Sequence, residues 1–159
     1  MKKKTSESFV KTRYVVMPND ANPLGTAFGG KILEWMDITA AMVAEIHSEG
    51  TVVTAAMDSV IFLCPIRVGE HAVLEAYLTY VGKRSMEVKV TVYRESPFSK
   101  IREIATMAYV ALISTKDCSV HQLDFQEQDD IKMFNEAALR MEKRKSERKH
   151  LEKESKFNN

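Results

Sequence analysis

The hydrophobic pattern changes period several times along the chain. Residues 10–17 hold the β-formers Tyr14, Val15 and Val16 and stop at Pro18, which predicts a first strand. Pro18 to Gly25 carries Asn-Asp, Asn-Pro and Gly punctuation and reads as loop. From Phe28-Gly29-Gly30 to Gly50 no further Gly or Pro occurs. The apolar positions Ile32, Leu33, Trp35, Met36, Ile38, Met42, Val43 and Ile46 fit a helix of about five turns. Its hydrophilic side is narrow (Lys31, Glu34, Glu45 and Glu49), so burial on several sides is expected. The pattern then turns to β. Thr51 to Leu63 is a nearly continuous apolar and β-branched run ended by Pro65, and His71 to Val81 follows it. Ser85 to Arg94 alternates cleanly, with Met86, Val88, Val90 and Val92 against Glu87, Lys89, Thr91 and Tyr93. Glu103 to Thr115 is a fifth strand. Gly82-Lys83-Arg84 forms a tight link, and residues 95–101 a longer one.

The order is strand, buried helix, four successive strands and a last, polar segment. Consecutive strands with short links favour antiparallel pairing, so the expected class is α+β. The sheet, of about five strands, should curl around the long helix. An open sheet also leaves edges, and pairing with a second subunit is a common way to cover one.

Composition sharpens the ends more than the middle. Over 159 residues there are 23 Lys+Arg against 22 Asp+Glu. A balance this close argues against a dedicated nucleic-acid or membrane-surface binder. No apolar run approaches the ~20 residues of a membrane span. Met1-Lys2-Lys3-Lys4 is followed by Thr5-Ser6-Glu7-Ser8, where a signal peptide needs an apolar segment. Cys64 and Cys118 stand far apart without Cys-x-x-Cys spacing, which suits reduced thiols in a cytoplasm. The charge is unevenly spread: residues 126–159 carry nine Lys+Arg and eight Asp+Glu with no Gly or Pro. The chain therefore divides into a body, residues 1–125, and a charged helical extension, residues 126–159.

Several stretches could carry chemistry. Gly25 to Lys31 fits G-x-x-x-x-G-K, but Ile32 stands where a P-loop needs Ser or Thr for magnesium. The repeated crossover helices of a parallel sheet are missing too, so nucleotide triphosphate binding is rejected. What remains is a Gly-rich turn feeding a helix, whose unpaired N–H groups can hold a phosphate or polarise a carbonyl. Gly29 and Gly30 would let a substrate approach them closely. Asp37 lies two turns into the helix, at the border between its apolar and charged sides, where propensity gives no reason for an Asp. It could act as a base or bond across an interface. Asn22, before the glycines, could hold a water or serve only as a turn residue. Asp58, inside the second strand, is a rival carboxylate needing a partner or a site. Gly82-Lys83-Arg84-Ser85 is the one compact basic turn of the body and suits a phosphate-bearing ligand. The histidines show no metal spacing, and His47 falls on the apolar helix side as a core residue would.

In order and spacing these stretches resemble the hotdog-fold acyl-CoA thioesterases, both the small bacterial acyl-CoA hydrolases and the domains of the cytosolic mammalian acyl-CoA thioesterase. The resemblance is carried by Met17 to Gly25, Phe28 to Leu33, Trp35-Met36-Asp37, Val53 to Phe62 and Gly82 to Val88. It runs from about residue 10 into the charged extension. It implies a hotdog fold and hydrolysis of acyl-CoA to free fatty acid and CoA. It implies homodimers, and further assembly as a trimer of dimers. Asp37 matches the acidic residue that acts as general base or nucleophile. Asn22 matches an asparagine supplied by the opposite subunit. Gly29 and Gly30 match the backbone donor to the thioester carbonyl, and Lys83, Arg84 and Ser85 match the turn that contacts CoA. Phe28 departs from the His found before the paired glycines in many relatives, a position where the backbone does the work. No metal or cofactor is implied beyond the CoA of the substrate, because a thioester needs only a positioned water, a carboxylate and an oxyanion donor. The alternative is a non-catalytic acyl-CoA-binding module, which would bind CoA esters without turnover.

Overall fold

The computed structural model describes residues 2–99, 101–125 and 127–157. The chain divides into two compact units, Met1–Asp124 and Phe125–Asn159. The first unit holds β1 (Lys2–Lys3), β2 (Val10–Val15), α1 (Gly29–Ser48), β3 (Val52–Phe62), β4 (His71–Val81), β5 (Ser85–Glu95), β6 (Arg102–Ser114) and β7 (Gln122–Leu123). Five of these strands form one antiparallel sheet in the order β2-β4-β5-β6-β3. α1 packs against all five. A flat sheet of five strands is about 19 Å across, too wide for a helix about 10 Å thick lying along its strands, so the sheet curls around α1 as expected.

The alternation read in β5 sets the core. Met86, Val88, Val90 and Val92 are fully buried, with Leu74 and Leu78 of β4, Leu112 of β6, and Met36 and Val43 of α1. Trp35 stacks on Tyr14 of β2 at 4.8 Å between ring centroids, fixing the helix to that edge. Glu87 is also buried, and its carboxylate accepts the Thr79 hydroxyl at 2.7 Å.

One expectation is corrected. β3 does not pair with β4, its neighbour in sequence, but forms the far edge beside β6. The link between them is not a hairpin: Ala27 N–H donates to the Ile66 carbonyl at 2.7 Å and Val68 N–H to the Gly25 carbonyl at 3.0 Å. These bonds tie the link to the loop before α1 and carry the chain past the helix N-terminus. β3 is also irregular, with register shifts between Thr54 and Ala56 and between Asp58 and Ile61, and Ser59 at φ 58°. α1 is buried on several sides, as expected, but Ile38 and Ile46 remain 45% and 49% exposed within one protomer.

The far end of α1 is tied down by lysines. Lys3 Nζ donates to the His47 carbonyl at 3.3 Å and pairs with Glu49, while Lys116 Nζ donates to the Ser48 carbonyl at 3.1 Å. Cations there satisfy orphan carbonyls and oppose the helix dipole. A Cβ on Gly50 would collide with the Lys116 side chain. Lys2 and Lys3 pair in parallel with Gln122 and Leu123, elements too short to leave a sequence pattern.

The second unit is one helix, α2 (Gln128–Phe157), about 45 Å long. Its surface carries the one-turn ion pairs Glu142–Lys145 at 2.7 Å, Arg148–Glu152 at 2.8 Å and Lys143–Glu147 at 3.8 Å. Such pairs stabilise a helix with little apolar character. Among the described residues no helix is long and apolar enough to cross a membrane.

Candidate active site

The Gly-rich turn forms the start of α1. Phe28 precedes the helix in an extended conformation without a side-chain cap, and its carbonyl accepts the Lys31 and Ile32 N–H groups at 2.9 and 3.2 Å. Among the described residues, the N–H groups of Gly29 and Gly30 have no acceptor. They are the outward-facing donors the sequence predicts. Beside them lies a pocket of about 290 Å³, lined by residues 26–27 and 29, Ile32 and residues 62–66.

Asn22 stabilises its own loop. Its side-chain amide donates to Thr26 Oγ1 at 3.0 Å, and Oδ1 accepts the Leu24 and Thr26 N–H groups at 3.0 and 3.3 Å. This is the turn role the sequence allowed, and it also fixes how the loop stands before the glycines.

Asp37 sits half-buried on α1, where the helix meets the open sheet edge. Thr54, exposed on β3, donates its hydroxyl to Asp37 Oδ1 at 2.7 Å. That leaves Oδ2 for another partner. The sequence reading missed Thr54. Its only signal was a hydroxyl at the start of an apolar strand, and nothing local says which strand packs beside Asp37.

The helix separates these two groups. From Gly29 and Gly30 to Asp37 is seven or eight residues, about 11–12 Å along the axis. An oxyanion donor and a base acting on one carbonyl must each lie near 3 Å from reacting atoms. Within one protomer they are too far apart to do so.

The basic turn closes between β4 and β5, with Gly82 N–H donating to the Ser85 carbonyl at 2.8 Å. The Arg84 guanidinium donates through Nε and Nη2 to the Ser114 carbonyl at 3.1 and 3.0 Å. Arg84 thus holds the turn against β6, and both Arg84 and Lys83 are exposed. Ser85 stands opposite Ile113, which stands opposite Val53. The turn therefore lies two strands, about 10 Å, from the row next to Thr54. Asp58 is opposite Tyr109, four residues and about 13 Å along β3 from Thr54, and so stands apart from the Asp37 cluster.

The remaining candidates are structural. His47 is fully buried and its Nε2 meets the His121 carbonyl at 2.8 Å. Burial holds its imidazole below the ordinary 6.5, against the opposing pull of that carbonyl. Burial also pushes the Cys64 thiol up. Among the described residues no group of His, Cys, Asp and Glu could hold a metal ion.

Comparison with known proteins places this arrangement. Residues 24–97 match the model of the thioesterase superfamily. The acyl-CoA thioester hydrolase YkhA of Bacillus subtilis, itself uncharacterised, is 38% identical over 139 residues, covering 85% of this chain and 81% of its own. The chain belongs to the thioesterase superfamily. Among solved thioesterases, the acyl-CoA hydrolase of Staphylococcus aureus, in complex with butyryl-CoA, CoA and CoA disulfide, superposes with a TM-score of 0.89 at 30% identity. That match covers 99% of this chain and 98% of the other. An apo-hexameric acyl-CoA thioesterase superposes with a TM-score of 0.85 at 32% identity, covering 92% and 96%. The match to these thioesterases runs nearly end to end, and the hotdog architecture is that of the first unit, with its five-stranded sheet around α1.

Proposed function

We propose that this thioesterase hydrolyses acyl-CoA to a carboxylic acid and CoA, at a site shared between two copies of the chain. The observation that carries the reading is Asp37, half-buried and held by Thr54 at an open sheet edge. Alanine variants of an asparagine, an aspartate and a threonine have been solved for the Staphylococcus aureus enzyme. Their positions are separated by 15 and 17 residues, as Asn22, Asp37 and Thr54 are here.

Two-fold pairing along β3 resolves the separation within one protomer. In an isologous antiparallel pair, the start of one β3 lies beside the end of the other. Thr54 and Asp37 of one copy then approach the partner's Phe62, whose ring lies 3.5 Å from where a Cβ on Gly29 would be. The same pairing covers Val53, Ile61 and Phe62, which are 54%, 63% and 49% exposed in one protomer, and the open side of α1. A dimer is the smallest complete unit, and a trimer of such dimers would match the hexamer seen in a neighbour.

In the reaction, Asp37 Oδ2 takes a proton from water as its oxygen attacks the thioester carbon. The Gly29 and Gly30 N–H groups of the partner hold the developing oxyanion, and the partner's Asn22 loop sets their approach. The C–S bond breaks, and the proton held by Asp37 goes to the leaving CoA sulfur. A thioester is reactive enough that these groups suffice, so no metal or cofactor is required. Lys83, with Ser85 beside it, binds the CoA phosphates, while Arg84 acts by holding the turn. The acyl-CoA substrate and the free thiols of Cys64 and Cys118 suit a cytoplasmic enzyme.

Mixing variants tests both parts. Asp37→Ala and Asn22→Ala, each alone, lose most thioester hydrolysis while still binding CoA. Mixed oligomers purified through two different tags recover on the order of a quarter to a half of wild-type turnover, because some sites take both intact residues. Verified mixed oligomers with no recovery would refute the shared site. CoA binding without turnover by the wild type at any chain length would instead support a non-catalytic binding module.

A further inference from the structure

Asp20 lies in the loop before α1 and touches the chain on both sides of the paired glycines. We propose that Asp20 is a positioning residue of the reaction: it sets the Gly29 and Gly30 N–H groups for the thioester oxyanion, through Phe28 on one side and Lys31 on the other. The proposal rests on the acyl-CoA hydrolase reading and adds a residue to its machinery. All of the contacts that carry it lie within one protomer.

Three observations carry it. The first is the bracket. The Asp20 carbonyl accepts the Phe28 N–H at 2.8 Å, and the Asp20 carboxylate pairs through Oδ1 with Lys31 at 3.8 Å. Phe28 and Lys31 are the residues immediately before and after the two glycines. Phe28 has no side-chain cap to fix the helix start, so the bond to Asp20 holds it from outside. The second is the anchor. Asp20 Oδ2 accepts the Met17 N–H at 3.0 Å, and the Asp20 N–H donates to the Met17 carbonyl at 2.9 Å. Met17 follows Val16, which is fully buried and bonded through its N–H to the Glu70 carbonyl at 2.9 Å. The bracket is thus fastened to the end of the sheet rather than to a free loop. The third is the charge. Lys31 is already held by both Glu34 oxygens at 3.1 Å and lies 5.9 Å over the Trp35 ring. It stands ready to offset Asp20, whose side chain is only 16% exposed. A carboxylate left without that cation would oppose an oxyanion forming beside it.

Removing one oxyanion donor outright lowers kcat about 10²–10³-fold. Loosening two donors without removing either should do less, about tenfold, and the loss should fall on kcat because the donors act most strongly on the transition state. A residue that merely stabilised the loop would affect binding of any CoA ligand alike.

The test measures kcat and KM for wild type, Asp20→Ala, Asp20→Asn, Lys31→Met and Glu34→Gln, with oligomeric state checked for each. Asp20→Ala should lower kcat about tenfold or more and leave KM within about threefold. Asp20→Asn keeps an acceptor for the Met17 N–H but loses the ion pair, so it should recover part of that loss. Lys31→Met should lose at least as much as Asp20→Asn, because it leaves the carboxylate uncompensated. Glu34→Gln leaves the Asp20–Lys31 pair intact and should change kcat less than about twofold. A second measurement separates positioning from loop stability. Trifluoroacetonyl-CoA is a ketone whose hydrate resembles the tetrahedral intermediate and cannot release CoA; S-propyl-CoA is a thioether with no carbonyl. Asp20→Ala should weaken inhibition by the first about as much as it lowers kcat/KM, and by the second less than about twofold. If Asp20→Ala does not fold, Asp20→Asn and Lys31→Met carry the same comparison. Equal weakening of both inhibitors, or of neither, overturns the proposal. Wild-type kcat in folded Asp20→Ala overturns it too, while leaving the hydrolase reading intact. A wild type that hydrolyses no acyl-CoA removes both.

Discussion

Replacing Thr54 by valine removes one hydroxyl and keeps the branched shape and the strand preference. That hydroxyl donates to Asp37 Oδ1 at 2.7 Å. A hydrogen bond to a charged group is worth about 1.5–3 kcal/mol, and Thr54 is exposed, so water replaces part of it and the lower end applies. A loss of about 1.5 kcal/mol of transition-state stabilisation is roughly tenfold in rate. Thr54 touches the carboxylate and acts as a positioning residue through it. The loss should therefore fall on kcat, with KM nearly unchanged. The assay is thiol release from a medium-chain acyl-CoA. Asp37→Ala alone should cost about 10²–10⁴-fold. The double variant should cost no more than Asp37→Ala, because the hydroxyl has nothing left to orient. An additive double variant, or a Thr54→Val enzyme with wild-type kcat, would refute the reasoning.

Two other predictions concern groups away from the carboxylate. Because burial lowers the His47 pKa in the folded protein, the stability it confers is complete above about pH 6.5 and is lost as pH falls through the lowered folded value. Urea midpoints should drop on acidification below that pH in the wild type and less in His47→Gln; parallel curves for the two proteins would refute this. At the basic turn, Lys83→Ala should raise KM with kcat and urea midpoint unchanged. Arg84→Ala should lower stability by about 1–2 kcal/mol, since it frees the Ser114 carbonyl, and a larger KM effect from Arg84 than from Lys83 would reverse their assigned roles.

The parts of the fold legible in the sequence are those fixed by local pattern. The run from β4 to β6 was readable because its links are short and β5 alternates without a break. α1 was readable because its glycines bracket an uninterrupted apolar run. The position of β3 was not, because it depends on bonds from Gly25 and Ala27 to residues 66–68, and no local pattern records them. Asp37 stood out as a polar residue at the border of an apolar face. Its partner Thr54, 17 residues away, became visible only once β3 was placed beside α1. Ile38 and Ile46 mark a different limit. An apolar position demands cover, but the pattern does not say whether its own chain or a second copy provides it.

The irregularities of β3 bear on which partners its edge can accept. A long, straight, apolar edge strand will take almost any extended segment, and that is the usual start of aggregation. β3 is long and apolar, but it shifts register twice and passes through a left-handed residue at Ser59. A generic strand laid along it would lose bonds at each break. A copy of the same strand, turned by a two-fold axis, carries its own breaks in mirrored order and can meet them. If two copies pair along β3 as proposed, its kinks act as a password on the edge, favouring its own kind over stray chains.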